Sequence, residues 1–410
     1  MGSAVGHRHE SGHVVRLAVT IDPGKEEKPM NQQLRDRTIH LGHTNASPSE
    51  VEYDARKLDT LDRHFGQLID DGKIQAASYL LARYGKIFAH KSMGARVGFE
   101  ESGDLQPDSI RRIASTTKAF TAVAVLKLVE DGKLYLEQPV SNLIEEFDTP
   151  LHRSITVFHL LTHTSGICPD PGYYLEPYPR GWWNGHDGDS WIKGVLSGPV
   201  RCKPGEFYNY SSAGFGMLGE LIGRITGMHY NDYIRQSILE PLGMSRTFFD
   251  VPEHLHDEVC LAEKFDAERL TTSTKQPGKM PRAGGGLHST LQDLWKFGQM
   301  LLDKGTFEGK RIISRKSVEA MTRNQLNKVP AYAWGVQIPS KNFGLGLNLF
   351  LEGGELKSQA TFSHEGAGRC ALHIDPAEQL VAVFFVPTAT PGFLPESIVH
   401  PGNIIWSGLN

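Results

Sequence analysis

Residues 110–134 read IRRIASTTKAFTAVAVLKLVEDGKL. A small polar cluster, Ser115-Thr116-Thr117-Lys118, stands directly ahead of a long apolar run that closes at Asp131-Gly132-Lys133. The run suits a helix built for burial, and Asp-Gly is a helix terminator. Ser115 and Lys118 are three apart, so on a helix they share a face. A serine hydroxyl attacks only when a base takes its proton. A lysine becomes that base when burial or a neighbouring cation lowers its pKa. The start of a helix disfavours a cation and presents N–H groups to an oxyanion. Spacing alone is a weak signal, because S-x-x-K arises by chance about once or twice in a chain this long. It recurs here as Ser190-Trp191-Ile192-Lys193, inside a stretch that reads as an irregular loop, and that copy is expected to be chance. Taken by itself, Ser115 serves equally well as a helix cap.

The composition narrows the class. The chain has 410 residues, 22% of them charged and 39% hydrophobic, which suits one large globular domain or two intimate ones. A formal net charge of -4 gives no footprint for nucleic acid or an anionic membrane surface. No apolar run approaches the roughly 20 residues of a spanning helix. Four cysteines, Cys168, Cys202, Cys260 and Cys370, lie far apart without a C-x-x-C, so they read as free buried thiols. Without a visible signal peptide the expected location is cytoplasmic. Residues 1–52 carry little pattern beyond His7, His9 and His13, and are expected to be a disordered or vector-derived tail.

From Tyr53 the pattern is regular. Leu58, Leu61, Phe65 and Leu68 recur at helical spacing, and Gly72 follows as a stop signal. Residues 76–94 read as two strands turning at Tyr84-Gly85-Lys86. The middle, about residues 107–274, is mainly helical, and the last part returns to strands around Asp375-Pro376. This order predicts an α+β domain over 53–410. An antiparallel sheet would be built from about 53–106 and 275–410 and flanked by terminal helices. Between Pro169 and Pro199 lies an aromatic-rich segment holding Tyr173, Tyr174, Tyr178, Trp182 and Trp183. It reads either as a loop with its own small core or as a wall over an apolar ligand.

Five further segments follow Ser115 in order: LLTHTSGI, KPGEFYNYSSAGFGMLGELIGRITG, ILEPLGMSRTFF, AGGGLHSTLQDLWKF and FSHEGAGRCALHIDP. Together with the S-T-T-K cluster they resemble the serine β-lactamase and penicillin-binding-protein superfamily. The class C β-lactamase-like branch, which includes the family VIII carboxylesterases, matches best. The resemblance implies a β-lactamase/transpeptidase-like fold, no metal and no organic cofactor. It implies that Ser115 is the acylated nucleophile, Lys118 its base partner and Tyr210 a second acid/base. The family's K-T-G motif stands here as His364-Glu365-Gly366, and the oxyanion hole would be the backbone N–H groups of Ser115 and Ala367. His163 reads as structural, holding its turn. Two departures bear on substrate: Ser212 replaces the family's asparagine, and His364 replaces a lysine. Both move the expectation from lactams and peptides towards esters. The resemblance therefore implies a serine hydrolase acting on small-molecule esters. The alternatives are an acyltransferase using the same acyl-enzyme, a β-lactamase or D-Ala-D-Ala carboxypeptidase, and a non-catalytic binding module.

Overall fold

A hairpin begins the main sheet, formed by β2 (Ala76–Arg83) and β3 (Lys86–Gly94). Tyr84 and Gly85 both take positive φ at its turn, as a two-residue hairpin loop requires. All eight residues of β2 are buried, so both faces of the sheet are covered. The computed structural model describes residues 38–170, 173, 191–200, 202–333, 336–351, 354–367, 370–387 and 395–410.

The sheet has seven antiparallel strands in the order β1-β3-β2-β14-β13-β12-β11. The added strands are β1 (His40–Leu41), β11 (Asn348–Leu349), β12 (Phe362–Gly366), β13 (Cys370–Asp375) and β14 (Leu380–Phe385). Strands from the two ends of the chain therefore meet at the β2–β14 pair. On one face Tyr79, Leu81 and Phe384 pack with helices α1 (Arg56–Asp70) and α5 (Pro395–Trp406). On the other, Leu80, Val381 and Val383 join the larger core. That core includes α2 (Thr117–Glu130), α3 (Ser212–Thr226) and α4 (Leu291–Leu302). Phe120 of α2 stacks on Phe297 of α4 at 3.8 Å between ring centroids, tying the helical part to the helix that lies on the sheet. The expected α+β arrangement is thus present. The chain's last segment is helical, as the expected flanking terminal helices require.

Three expectations need correction. Residues 38–52 are not tail: His40 and Leu41 pair with Ser92 and Lys91, and Val51 is fully buried. The short strand covers the edge of β3, which would otherwise expose unpaired backbone groups. The part expected to be helical also lends strands to a second small sheet. There β4 (Ile110–Arg112) lies between β5 (Val259–Cys260) and β6 (His288–Ser289). Finally, Trp191–Leu196 in the segment expected to be irregular is a short helix. Lys193 on it is exposed, so the second S-x-x-K lacks the burial that would change its lysine.

Two hairpins, β7 (Thr306–Phe307) with β8 (Lys310–Arg311) and β9 (Ala331–Ala333) with β10 (Val336–Ile338), stand apart from these sheets. All four cysteines are free; Cys202 is half-buried and the other three are buried. Among the described residues no helix is long and apolar enough to cross a membrane.

Candidate active site

Strand β4 delivers the chain to a single 3-10 turn, Ala114–Thr116, from which α2 begins at Thr117. Ala114 adopts φ +44°, a left-handed conformation strained for a residue with a Cβ. The strained turn leaves Ser115 half-buried and accessible, while Lys118 one turn later is completely buried. Lys118 Nζ donates to Ser115 Oγ at 3.3 Å, to Ser212 Oγ at 3.0 Å and to Gly284 O at 2.7 Å. Burial pushes its pKa down from 10.5 to about 8, against an opposing pull from the Asp170 carboxylate.

Tyr210 and Ser212 come from the start of α3. Ser211 caps that helix: its Oγ accepts the Gly214 N–H and donates to Cys168 O. The Tyr210 hydroxyl lies close enough to Ser115 for that side chain to pull its pKa down. Its ring lies between His163, at 4.3 Å, and Tyr173, at 4.9 Å. His163 also accepts the Ser211 N–H through Nδ1, so it holds the Tyr210 turn in place as a structural residue. Burial, and then the Asp170 charge, push the Tyr210 phenol well above its ordinary pKa of 10. It therefore sits beside Ser115 as a neutral hydroxyl at pH 7.

The third side of the site is β12. His364 is buried, and its Nδ1 donates to Glu365 O at 2.9 Å. Burial, with the Lys118 charge behind it, lowers its pKa to about 3, so the imidazole is neutral. Its Nε2 meets no hydrogen-bond partner among the described residues. Gly366 follows, and a Cβ built there would stand 2.2 Å from Ile113 O. Only a glycine lets the end of β12 press against the backbone that leads into Ser115. Ala367 is exposed in the turn just beyond. Among the described residues no group of three or more His, Cys, Asp or Glu side chains is gathered as metal ligands.

A family model described as Beta-lactamase matches residues 61–397. The chain belongs to the Beta-lactamase family. Within it, Protein Rv1367c of Mycobacterium tuberculosis is 27% identical over 363 residues, 80% of this chain and 90% of that one. Esterase EstB of Burkholderia gladioli is 30% identical over 284 residues, 60% of this chain and 71% of that one. Among solved structures, the octameric penicillin-binding protein homologue from Pyrococcus abyssi superposes with a TM-score of 0.64. It is 25% identical, over 86% of this chain and 76% of that chain. A family VIII carboxylesterase superposes with a TM-score of 0.65 at 21% identity, over 88% and 99% of the two chains. This chain therefore has a Beta-lactamase-family fold, in a superfamily of serine hydrolases with esterase and β-lactamase neighbours.

Within this family fold, the structure brings Ser115, Lys118, Tyr210 and Ser212 together, with Gly366 against the turn that carries Ser115. Of the five pocket aromatics, Tyr173 stands beside Tyr210; Tyr174, Tyr178, Trp182 and Trp183 lie outside the described residues. Sequence reasoning missed Asp170. Its carboxylate accepts the Ser212 hydroxyl at 2.6 Å and the Ser212 N–H at 2.7 Å. It lies 42 positions from Ser212 in the chain, at the entry of the aromatic segment, and no spacing marks it.

Proposed function

We propose that the protein hydrolyses carboxylic esters through a covalent acyl-enzyme on Ser115. The carrying observation is Lys118: a wholly buried amine 3.3 Å from Ser115 Oγ, with a pKa held near 8. At pH 7 about one such lysine in ten is neutral and able to take a proton. In this reading Ser115 Oγ attacks the ester carbonyl carbon and its proton passes to Lys118 Nζ. The backbone N–H groups of Ser115 and Ala367 receive the oxyanion. As the tetrahedral adduct collapses, the bond from carbon to the alcohol oxygen breaks. That oxygen takes the proton back, from Lys118 or through the Tyr210 hydroxyl. A water then attacks the acyl carbon, gives its proton to the same pair, and releases Ser115 and the acid.

The choice of ester over amide rests on Ser212. A hydroxyl has one proton to give, and this one goes to Asp170 while the oxygen accepts from Lys118. No donor remains there to hold a substrate amide. A neutral His364 also offers no fixed cation for a lactam carboxylate. An ester leaves as an alkoxide or phenoxide and needs less holding.

The test is a panel of p-nitrophenyl butyrate, nitrocefin and a D-Ala-D-Ala peptide on the wild type and Ser115→Ala. Clear ester turnover that vanishes in the variant, with an acyl mass on Ser115, is expected. Higher kcat/KM on nitrocefin or the peptide overturns the ester reading. An acyl-enzyme that releases product only when an alcohol or amine acceptor is added turns the protein into an acyltransferase.

A further inference from the structure

Lys341 is a cation that the chemistry above does not use. Its backbone N–H is fixed to Val329 O at 2.8 Å. Its Nζ donates to Asn348 Oδ1 at 3.2 Å. It lies 5.5 Å from the ring centroid of Tyr208 and 6.0 Å from that of Phe343. Those two rings meet His163 at 5.6 Å and 5.5 Å, and His163 packs on Tyr210. The ammonium therefore stands one ring further along a buried chain of rings that begins at Tyr210, near enough for its charge to act on His364. From the other direction, Asn348 on β11 pairs with Ser363, the neighbour of His364. Two independent routes through the fold thus lead from Lys341 back to the site.

Two other half-buried lysines are matched by carboxylates, Lys91 by Asp62 at 2.6 Å and Lys296 by Asp293 at 3.0 Å, whereas Lys127 donates to the Ile312 carbonyl at 2.7 Å. Lys341 forms no ion pair with any described residue. Two aromatic rings and an amide oxygen favour its charged form without neutralising it. Glu365 acts on it only from beyond ion-pair distance, and burial lowers its pKa. A partly buried cation without a counter-charge is costly to the fold. A ligand that brings the anion accounts for it. Asn348 strengthens the case: its Oδ1 accepts from Lys341, and its amide N–H groups make no hydrogen bond to a described residue.

We propose that Lys341 and Asn348 form an anion subsite at the edge of the ester cleft, so that favoured substrates are esters bearing a second, carboxylate group. The ammonium and the Asn348 amide would each donate to that carboxylate. This rests on the ester-hydrolase reading, which turnover of neutral esters by the wild type tests separately.

Two pairs of probes place the carboxylate on the acyl side: the mono-p-nitrophenyl esters of adipic and suberic acid, against p-nitrophenyl hexanoate and octanoate. A third pair places it on the alcohol side: 4-(butyryloxy)benzoate against phenyl butyrate. In the wild type at least one acid should exceed its neutral counterpart in kcat/KM by about tenfold, the scale of a charge-assisted contact. That ratio should fall to one or below in Lys341→Met and be partly restored in Lys341→Arg. Added salt should shrink it in the wild type. Calorimetric binding of adipate against hexanoate reads the same subsite without turnover, and the preference for adipate should disappear in Lys341→Met. The proposal is overturned if no acid exceeds its neutral counterpart in turnover or binding, or if the advantage survives Lys341→Met.

Discussion

Asp170 holds Ser212 through two contacts, Oδ2 to the hydroxyl at 2.6 Å and Oδ1 to the backbone N–H at 2.7 Å. Through Ser212 the carboxylate stands one hydrogen bond away from Lys118, and its charge favours the ammonium form. Wild-type kcat/KM on a neutral ester should rise about tenfold per pH unit below a pKa near 8, as Lys118 loses its proton. Asp170→Asn removes the charge while keeping the shape. The ammonium then loses support, its pKa falls, and the rising limb should move to lower pH. A limb that stays in place or moves up would show that Asp170 does not act on Lys118.

Lys118 and Tyr210 both reach Ser115, one through Nζ and one through its hydroxyl. If they share one proton path, Lys118→Ala and Tyr210→Phe should each cost about 10²- to 10⁴-fold in kcat. The double variant should cost little more than the worse single one. Strictly additive losses, read from steady-state kinetics of all four proteins, would separate the two residues.

The buried Lys118 should cost the fold stability. Its pKa drops from an ordinary 10.5 to about 8 on folding, a penalty of roughly 3 kcal/mol. Below pH 8 both folded and unfolded chains hold the proton, and the penalty is present in full. Between about 8 and 10.5 the folded chain loses the proton first, so stability rises with pH. Lys118→Met should therefore be inactive yet unfold at a higher denaturant concentration than the wild type at pH 7. The gap should narrow at pH 9.5. A Met variant less stable than the wild type at pH 7 would contradict this.

Gly366→Ala places a Cβ 2.2 Å from Ile113 O, a backbone atom that cannot swing aside. The strand end must then move away from the turn carrying Ser115. Overpacking of this kind costs about 1–3 kcal/mol. Activity should fall by at least tenfold, because the Ala367 N–H moves with the strand. Thermal melting and ester turnover read the two effects, and an alanine variant with wild-type values in both would deny the close approach.

Much of this was legible in the sequence, for physical reasons that differ by residue. Ser115 and Lys118 are close in the chain, and the apolar run behind them announces burial. Tyr210 and His364 follow from the order of segments, which reports the fold as a whole. Lone residues without a local pattern stayed hidden. Asp170 meets Ser212 only because the turn at His163 folds the two segments together. Lys341 looks like any surface lysine until the rings of Tyr208 and Phe343 are placed around it. Strand β1 is two residues long, too short for any periodicity to show.

The strand order has one more consequence, for how the chain comes into being. Ser115 and Lys118 lie in the first third of the sequence, while β12 and β14 are among its last strands, and β14 is the neighbour of β2 in the sheet. A ribosome thus makes Ser115 long before the strand that completes its surroundings. On the proposed reading, nascent or prematurely terminated chains would carry an unarmed serine, and ester hydrolysis would begin only when synthesis has passed the final strand. Activity would then report full-length chains, and a protein cut anywhere before residue 380 would lose its chemistry along with the centre of its sheet.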